Sequence, residues 1–152
     1  MLFMAVPVSS RSARTMSSLR KQNPVSSVAL SGTDASELLS RAGGPSTEDE
    51  FAAVLEHLRR VHPVQLAALV DGLDTVVVRD VAPVRDQNSA LALVALVDEL
   101  YDAELTFGMT GCAVAAVFEA GYRHGGYRKK YGRCESRQAA MLGEAFARLS
   151  SA

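Results

Sequence analysis

Three consecutive segments decide the fold: Asp74-Thr-Val-Val-Val-Arg79, then Asp86-Gln-Asn-Ser-Ala-Leu-Ala-Leu-Val-Ala-Leu-Val-Asp-Glu-Leu-Tyr101, then Leu105-Thr-Phe-Gly-Met109. The first is a short β-branched run closed by Pro83, which reads as a buried strand. In the second, Asp86 can cap a helix whose Leu93, Leu96, Val97 and Leu100 recur at helical spacing. Leu91, Val94 and Tyr101 widen that stripe, as expected of a helix packed on a sheet. The third segment returns as a strand. A strand, a crossover helix and a strand within some 35 residues make a right-handed βαβ unit with parallel strands. The spacing predicts Thr75–Arg79 beside Leu105–Met109, with helix 87–101 across them.

Working outward from this unit, the chain predicts a small α/β domain flanked by helices. On the N-terminal side, Thr33-Asp34 caps a helix through Arg41, stopped by Gly43-Gly44-Pro45. Ser46 and Thr47 precede Asp49 and Glu50 at capping-box spacing, which predicts a helix to about Arg60 with Phe51, Val54, Leu55 and Leu58 on one face. Pro63 opens another helix, Val64 to Val70, ended by Gly72. On the C-terminal side the pattern predicts a helix from Cys112 to Ala120, a break over Gly121–Gly132, and a closing helix from Arg133 to Leu149. Met141, Ala145, Phe146 and Leu149 face inward on that last helix. Residues 1–32 are Ser-rich, lack a sustained period and read as a flexible arm. Their arginines and lack of acids also fit an organellar transit peptide. The expected division is therefore an arm, 1–32, and an α/β region, 33–152.

Composition is that of a globular chain: 152 residues, 48% apolar, 22% charged, net charge −1. It excludes disordered, collagenous and disulfide-scaffold classes, and no apolar run reaches the ~18 residues of a membrane span. Cys112 and Cys134 form no CxxC pair, so a reduced, cytoplasmic setting is expected. The near-zero charge conceals a partition of +4 over residues 1–33, −10 over 34–121 and +5 over 122–152.

Much chemistry is excluded. There is no GxxxxGK[ST] phosphate loop, no GxGxxG after a strand, no GxSxG elbow and no HExxH. His57, His62 and His124 do not pair at metal-ligand spacing. Ser18-Leu-Arg-Lys21 matches SxxK without companion motifs. Val76-Val77-Val78-Arg79-Asp80 approaches the strand whose terminal acid holds magnesium in phosphate-loop ATPases, but Arg79 intrudes and Asp80 reads as a solvated strand end. The two cysteines read as packed thiols.

What stands out is Gly121-Tyr-Arg-His-Gly-Gly-Tyr-Arg-Lys-Lys-Tyr-Gly-Arg-Cys-Glu-Ser-Arg137, with six Lys/Arg beside three tyrosines and one acid, Glu135. Glycines admit a ligand close to the backbone, and guanidinium forks match phosphate oxygens. Arg133 and Arg137 are four apart and share a helical face. Arg128, Lys129 and Lys130 are candidate anion contacts. The charge pattern alone supports either a phosphate-binding surface, for nucleotide or nucleic acid, or a solvated basic face opposing the acidic middle.

The order of Asp98-Glu-Leu-Tyr-Asp102, a strand, Gly125-Gly-Tyr-Arg-Lys-Lys-Tyr-Gly-Arg133 and Ser136-Arg137 resembles the C-terminal region of ZapE-like cell-division ATPases of the AAA type, over residues 60–148. The glycine–tyrosine–lysine string looks most like actinobacterial members. That family's tail carries a helix ending DxLYD and a closing RxxSRL helix; this sequence departs at Gln138, where the family has Leu. The resemblance implies ATP and magnesium as cofactors, a protein partner in the cell-division machinery, and Arg133 and Arg137 as phosphate-sensing residues on the lid side. It also implies that the phosphate loop and magnesium-binding acid belong to an N-terminal core that these residues do not contain. The chain alone is thus expected to bind neither cofactor productively, not to hydrolyse ATP, and to be a fragment or diverged remnant of such an ATPase. The alternative is a small nucleic-acid or anion-binding module using residues 122–137.

Overall fold

The computed structural model describes residues 25–123 and 125–151. Three strands, β1 (Ser46–Glu50), β2 (Thr75–Val81) and β3 (Thr106–Gly111), form one parallel sheet in the order β1-β2-β3. Around it lie α1 (Gly32–Ser40), α2 (Phe51–Leu58), α3 (Leu66–Val70), α4 (Gln87–Asp102) and α5 (Arg128–Ser150).

The βαβ unit forms as its residue pattern predicts. Thr75 to Val78 pair in parallel with Thr106 to Met109, and a register shift follows before Val81 meets Gly111. The Asp86 carboxylate accepts the Ser89 N–H at 2.9 Å, capping α4. Leu93, Leu96, Val97 and Leu100 are all buried. Side chains alternate across a strand, so the two faces of the sheet are covered differently. Val78, Phe107 and Met109 share an apolar layer with Phe51 and Val54 of α2 and Leu93, Leu96, Val97 and Leu100 of α4. On the other face Gly108 leaves room for Leu30 and for Leu38 of α1, whose methyls lie 2.7 and 2.8 Å from where a Cβ would stand.

Three expectations are corrected. Ser46–Glu50 is an edge strand paired with β2 from Ser46↔Thr75 to Glu50↔Arg79, not the first turn of a helix. Pro45 accepts the Asp74 N–H at 2.7 Å, which sets the two chains in register. Thr47 and Asp49 then turn inward while Ser46, Glu48 and Glu50 stay exposed. A polar, acidic outer face suits an edge strand, and Glu48 meets Arg79 of β2 as an ion pair. The helix shortens to Phe51–Leu58.

The helix expected over 112–120 is replaced by a 3₁₀ turn, Val114–Ala116, and another at Ala120–Arg123. Neighbouring chains take up its backbone groups: Val84 N–H donates to Val117 O at 2.8 Å and Val114 N–H to Ser27 O at 3.0 Å. The closing helix starts at Arg128 rather than Arg133. Gly132 does not break it, because Tyr131 is buried and anchors the first turn.

Of the stretch assigned to the arm, residues 1–24, with Ser18 and Lys21, lie outside the described residues. Residues 25–31 lie against the domain: Ser26 N–H donates to Ala139 O and Leu30 N–H to Met109 O, both at 2.8 Å, and Leu30 is 3% exposed. No helix among the described residues is long and apolar enough to cross a membrane.

Candidate functional site

The C-terminal half of α4 lies along the N-terminal half of α5, and this contact brings together the two segments that stand out in the sequence. Asp98 and Tyr101 are three apart on α4, and Arg133 and Arg137 are four apart on α5, so each pair presents one face. Arg137 Nη1 donates to Asp98 Oδ1 at 2.7 Å, and its guanidinium lies 4.7 Å over the Tyr101 ring centroid. Arg133 Nη2 stands 3.6 Å from the other carboxylate oxygen, Oδ2. The two arginines differ in freedom: the Arg137 side chain is 26% exposed and that of Arg133 50%. Arg137 is clamped between a carboxylate and a ring. Arg133, with a half-exposed side chain, is the one open to a ligand.

Gln138, one turn on from Cys134, is buried at 2% exposure. Its amide meets sulfur on both sides, Met109 Sδ at 4.0 Å and Cys134 Sγ at 3.9 Å. The departure from Leu therefore sits in the core, its polar atoms held by weak sulfur partners. Burial pushes the Cys134 thiol far above the ordinary thiol range, and it also raises that of the partly buried Cys112. Neither is a ready nucleophile.

A second cluster lies on another face of α5. Arg128, Gly132 and Glu135, at helical spacing, line a cleft of about 300 Å³ with Phe118, Lys129 and Tyr131. Tyr131 separates it from a neighbouring cleft of about 220 Å³ lined by Gln87, Glu119, Tyr122, Gly126 and Tyr127. The rings pack on one another: Phe118 and Tyr131 are 4.9 Å apart between centroids, Tyr122 and Tyr131 5.0 Å. Tyr131 is 4% exposed and Tyr127 40%. Of these two tyrosines only Tyr127 offers a ring to solvent, and Lys130 Nζ stands 5.5 Å from its centroid. Burial, then the neighbouring tyrosines, raises the Tyr131 hydroxyl above the usual phenol range. For Tyr122 the causes are burial, then Asp86 and Glu119.

Arg133 and Arg137 thus share one face of α5, Arg128 and Lys129 line the cleft on another, and Lys130, three before Arg133 and seven before Arg137, lies outside that cleft. The sequence reading left out Asp98, Tyr101 and Phe118. The first two belong to the Asp98-Glu-Leu-Tyr-Asp102 segment, which carried the available signal; Phe118 carried none. Asp80, the strand-end acid, is exposed at a positive φ of 60°, its N–H donating to Thr110 Oγ1 at 2.9 Å. Among the described residues no three His, Cys, Asp or Glu side chains gather to hold a metal ion. The donor set at Arg133 and Arg137 fits a phosphate group, with one carboxylate beside two cations, and does not fit magnesium.

The model of one protein family, described as AFG1-like ATPase, matches residues 8–149. The match takes in both faces of α5, the whole sheet and the segment before α1. No curated protein and no solved structure matches the chain.

Proposed function

The chain belongs to the AFG1-like ATPase family, and from that premise we propose that it is the C-terminal, phosphate-sensing part of a ZapE-like ATPase. In this reading the parent activity is ATP-driven remodelling of a protein partner of the cytoplasmic cell-division machinery. Arg133 is the sensing residue and Arg137 positions it. The observation that carries this is the meeting of Asp98 and Tyr101 with Arg133 and Arg137, which leaves Arg133 half exposed beside a clamped neighbour. A guanidinium fork in that position can donate to two phosphate oxygens.

Hydrolysis needs a cradle for the phosphates and a held magnesium ion. The 152 residues contain no phosphate loop, and the donor set at the arginines does not suit magnesium, so no catalytic step is assigned to this chain. Purified protein should release no phosphate from ATP above background with magnesium present. It should bind ATP weakly, in the range ~0.1–1 mM or worse, since a few arginine contacts offset little of the association cost. Arg133→Ala should weaken that binding further. Magnesium-dependent turnover that scales with protein and vanishes in Arg133→Ala would overturn the reading of a sensing part without catalysis.

A further inference from the structure

A parallel sheet is ordinarily covered on both faces, and here one face of β1 is bare. The register aligns Glu48 with Val77 and Val77 with Gly108. These three residues therefore share a face of the sheet, where Gly108 meets Leu38 of α1. α1 packs on β2 and β3, while Ser46, Glu48 and Glu50 of β1 stay exposed beside it. The edge of β1 is open as well. Backbone groups of successive residues alternate in direction along a strand, and Pro45, which accepts from Asp74, sets the inward phase. Ser46 and Glu48 thus aim their N–H and C=O groups away from β2, and among the described residues no backbone group pairs with them there.

The same surface is acidic and short of cations. Arg79 pairs with Glu48 and donates to Ser36 Oγ at 3.1 Å. Glu50, aligned with Arg79 in the register, and Asp80, the next residue of β2, are both exposed. Neither has an ion pair among the described residues.

A complementary segment lies in the same chain. The family match begins at residue 8, so residues 8–24, which precede the described ones, belong to the matched domain. They hold Arg11, Arg14, Arg20 and Lys21 and no acid. They join the domain at α5, where Ser26 N–H donates to Ala139 O. Reach does not limit them: extended, they span up to ~56 Å, against the ~10 Å of two strand spacings from β3 to β1.

We propose that residues 8–24 cover the bare face and open edge of β1, with their cationic side chains meeting Glu50 and Asp80. The contact is intramolecular and between exposed charges, so salt weakens it.

The test is zero-length carbodiimide cross-linking of the full chain with peptide mass mapping, beside hydrogen exchange at ~50 mM and ~0.5 M salt. Lys21 is the lysine of this segment, and its amine should couple to Glu48, Glu50 or Asp80. At low salt, exchange over residues 8–24 should be slowed about fivefold or more relative to a free peptide of the same sequence, and most of that protection should vanish at high salt. Glu50→Gln with Asp80→Asn should cut both the coupling yield and the protection severalfold. Asn tolerates the positive φ at position 80, so the fold should hold. Asp71→Asn with Asp102→Asn, the same charge change at the opposite end of the strands, should leave both readouts unaltered. Mixtures of light and isotope-labelled chains tell the occupant's source. Coupling within one chain sustains the proposal, and coupling between chains gives the surface to a second copy and overturns it. Coupling of Lys21 to acids elsewhere, or to none, overturns it too. So does peptide-like exchange at low salt, or protection that survives Glu50→Gln with Asp80→Asn.

Discussion

Arg137 and Asp98 join the two longest helices: the guanidinium of α5 donates to the carboxylate of α4 at 2.7 Å, and both side chains are about a quarter exposed. Arg133 approaches the same carboxylate at 3.6 Å with half its side chain in solvent. Proximity and partial burial make the first contact the stronger of the two. A double-mutant cycle should give a coupling of about 1–2 kcal/mol for Asp98→Asn with Arg137→Gln, and under ~1 kcal/mol for Asp98→Asn with Arg133→Gln. Urea unfolding of the four variants in each cycle measures both. Equal couplings would show that Arg137 is not the clamped member.

Two glycines of β3 should respond unequally to alanine. At Gly108 a Cβ meets the terminal methyls of Leu30 and Leu38, which can shift within the core. Overpacking of this kind costs about 1–3 kcal/mol. At Gly111 the φ of +111° disfavours any side chain, and the Cβ would run into the backbone nitrogen and carbonyl oxygen of Val81. No rotamer change relieves that contact. Gly111→Ala should therefore be the more damaging, by roughly 2 kcal/mol or more, in thermal or urea unfolding. A Gly111→Ala protein as stable as Gly108→Ala would contradict the close approach of β2 and β3 after the register shift.

These elements also show where residue patterns suffice and where they do not. β2, α4 and β3 are legible because burial on both sides of a strand selects β-branched runs and a helix on a sheet needs a wide apolar stripe. β1 is not, because Ser46-Thr-Glu-Asp-Glu50 has no apolar residue and its structure comes from pairing with β2. The spacing of Val114, Val117 and Phe118 suits a helix equally well, and only distant partners, Ser27 and Val84, draw that backbone away. The start of α5 is obscured by Gly125, Gly126 and Gly132; the ring cluster around Tyr131 that outweighs them is tertiary. In the candidate site, the shared face of Arg133 and Arg137 follows from their spacing. Which of the 17 acids would meet them does not, since helix–helix packing decides it.

Cys134 and Cys112 should separate cleanly in alkylation. Cys134 is fully buried and its thiol is held neutral by burial, whereas Cys112 is partly exposed. Peptide mass mapping after N-ethylmaleimide treatment of the native protein should find Cys112 modified first and Cys134 only after unfolding. The same shift sets a pH dependence. The folded thiol ionises at higher pH than the unfolded one, so above about pH 9 the unfolded state binds fewer protons and stability falls as pH rises. One thiol contributes a slope of about 1.4 kcal/mol per pH unit. Its contribution is fully present below the unfolded value. Cys134→Ala should flatten the decline between about pH 9 and 10 relative to the parent chain, and an unchanged slope would show that Cys134 is not the titrating group.

The Asp98 carboxylate is also an internal competitor for whatever anion Arg133 and Arg137 receive. It occupies one position near both guanidinium groups, so a phosphate must displace it or share them with it. Removing its charge should therefore strengthen phosphate binding at this face even though it weakens the fold. Asp98→Asn should raise the affinity for pyrophosphate or ATP roughly three- to tenfold, about 0.6–1.4 kcal/mol, the scale of a partly exposed ion pair. The gain should depend on the fork geometry of the arginines. Arg133→Lys, placed in the Asp98→Asn background, replaces a planar donor pair with a point charge and should cancel most of the gain. Calorimetric titration at low salt, with folding of each variant checked by circular dichroism, gives the comparison. If Asp98→Asn lowers affinity while the protein stays folded, then the carboxylate orients Arg133 rather than competing for it. Asp98 would then belong to the sensing arrangement as its anchor, and Asp98→Ala should be at least as damaging as Asp98→Asn.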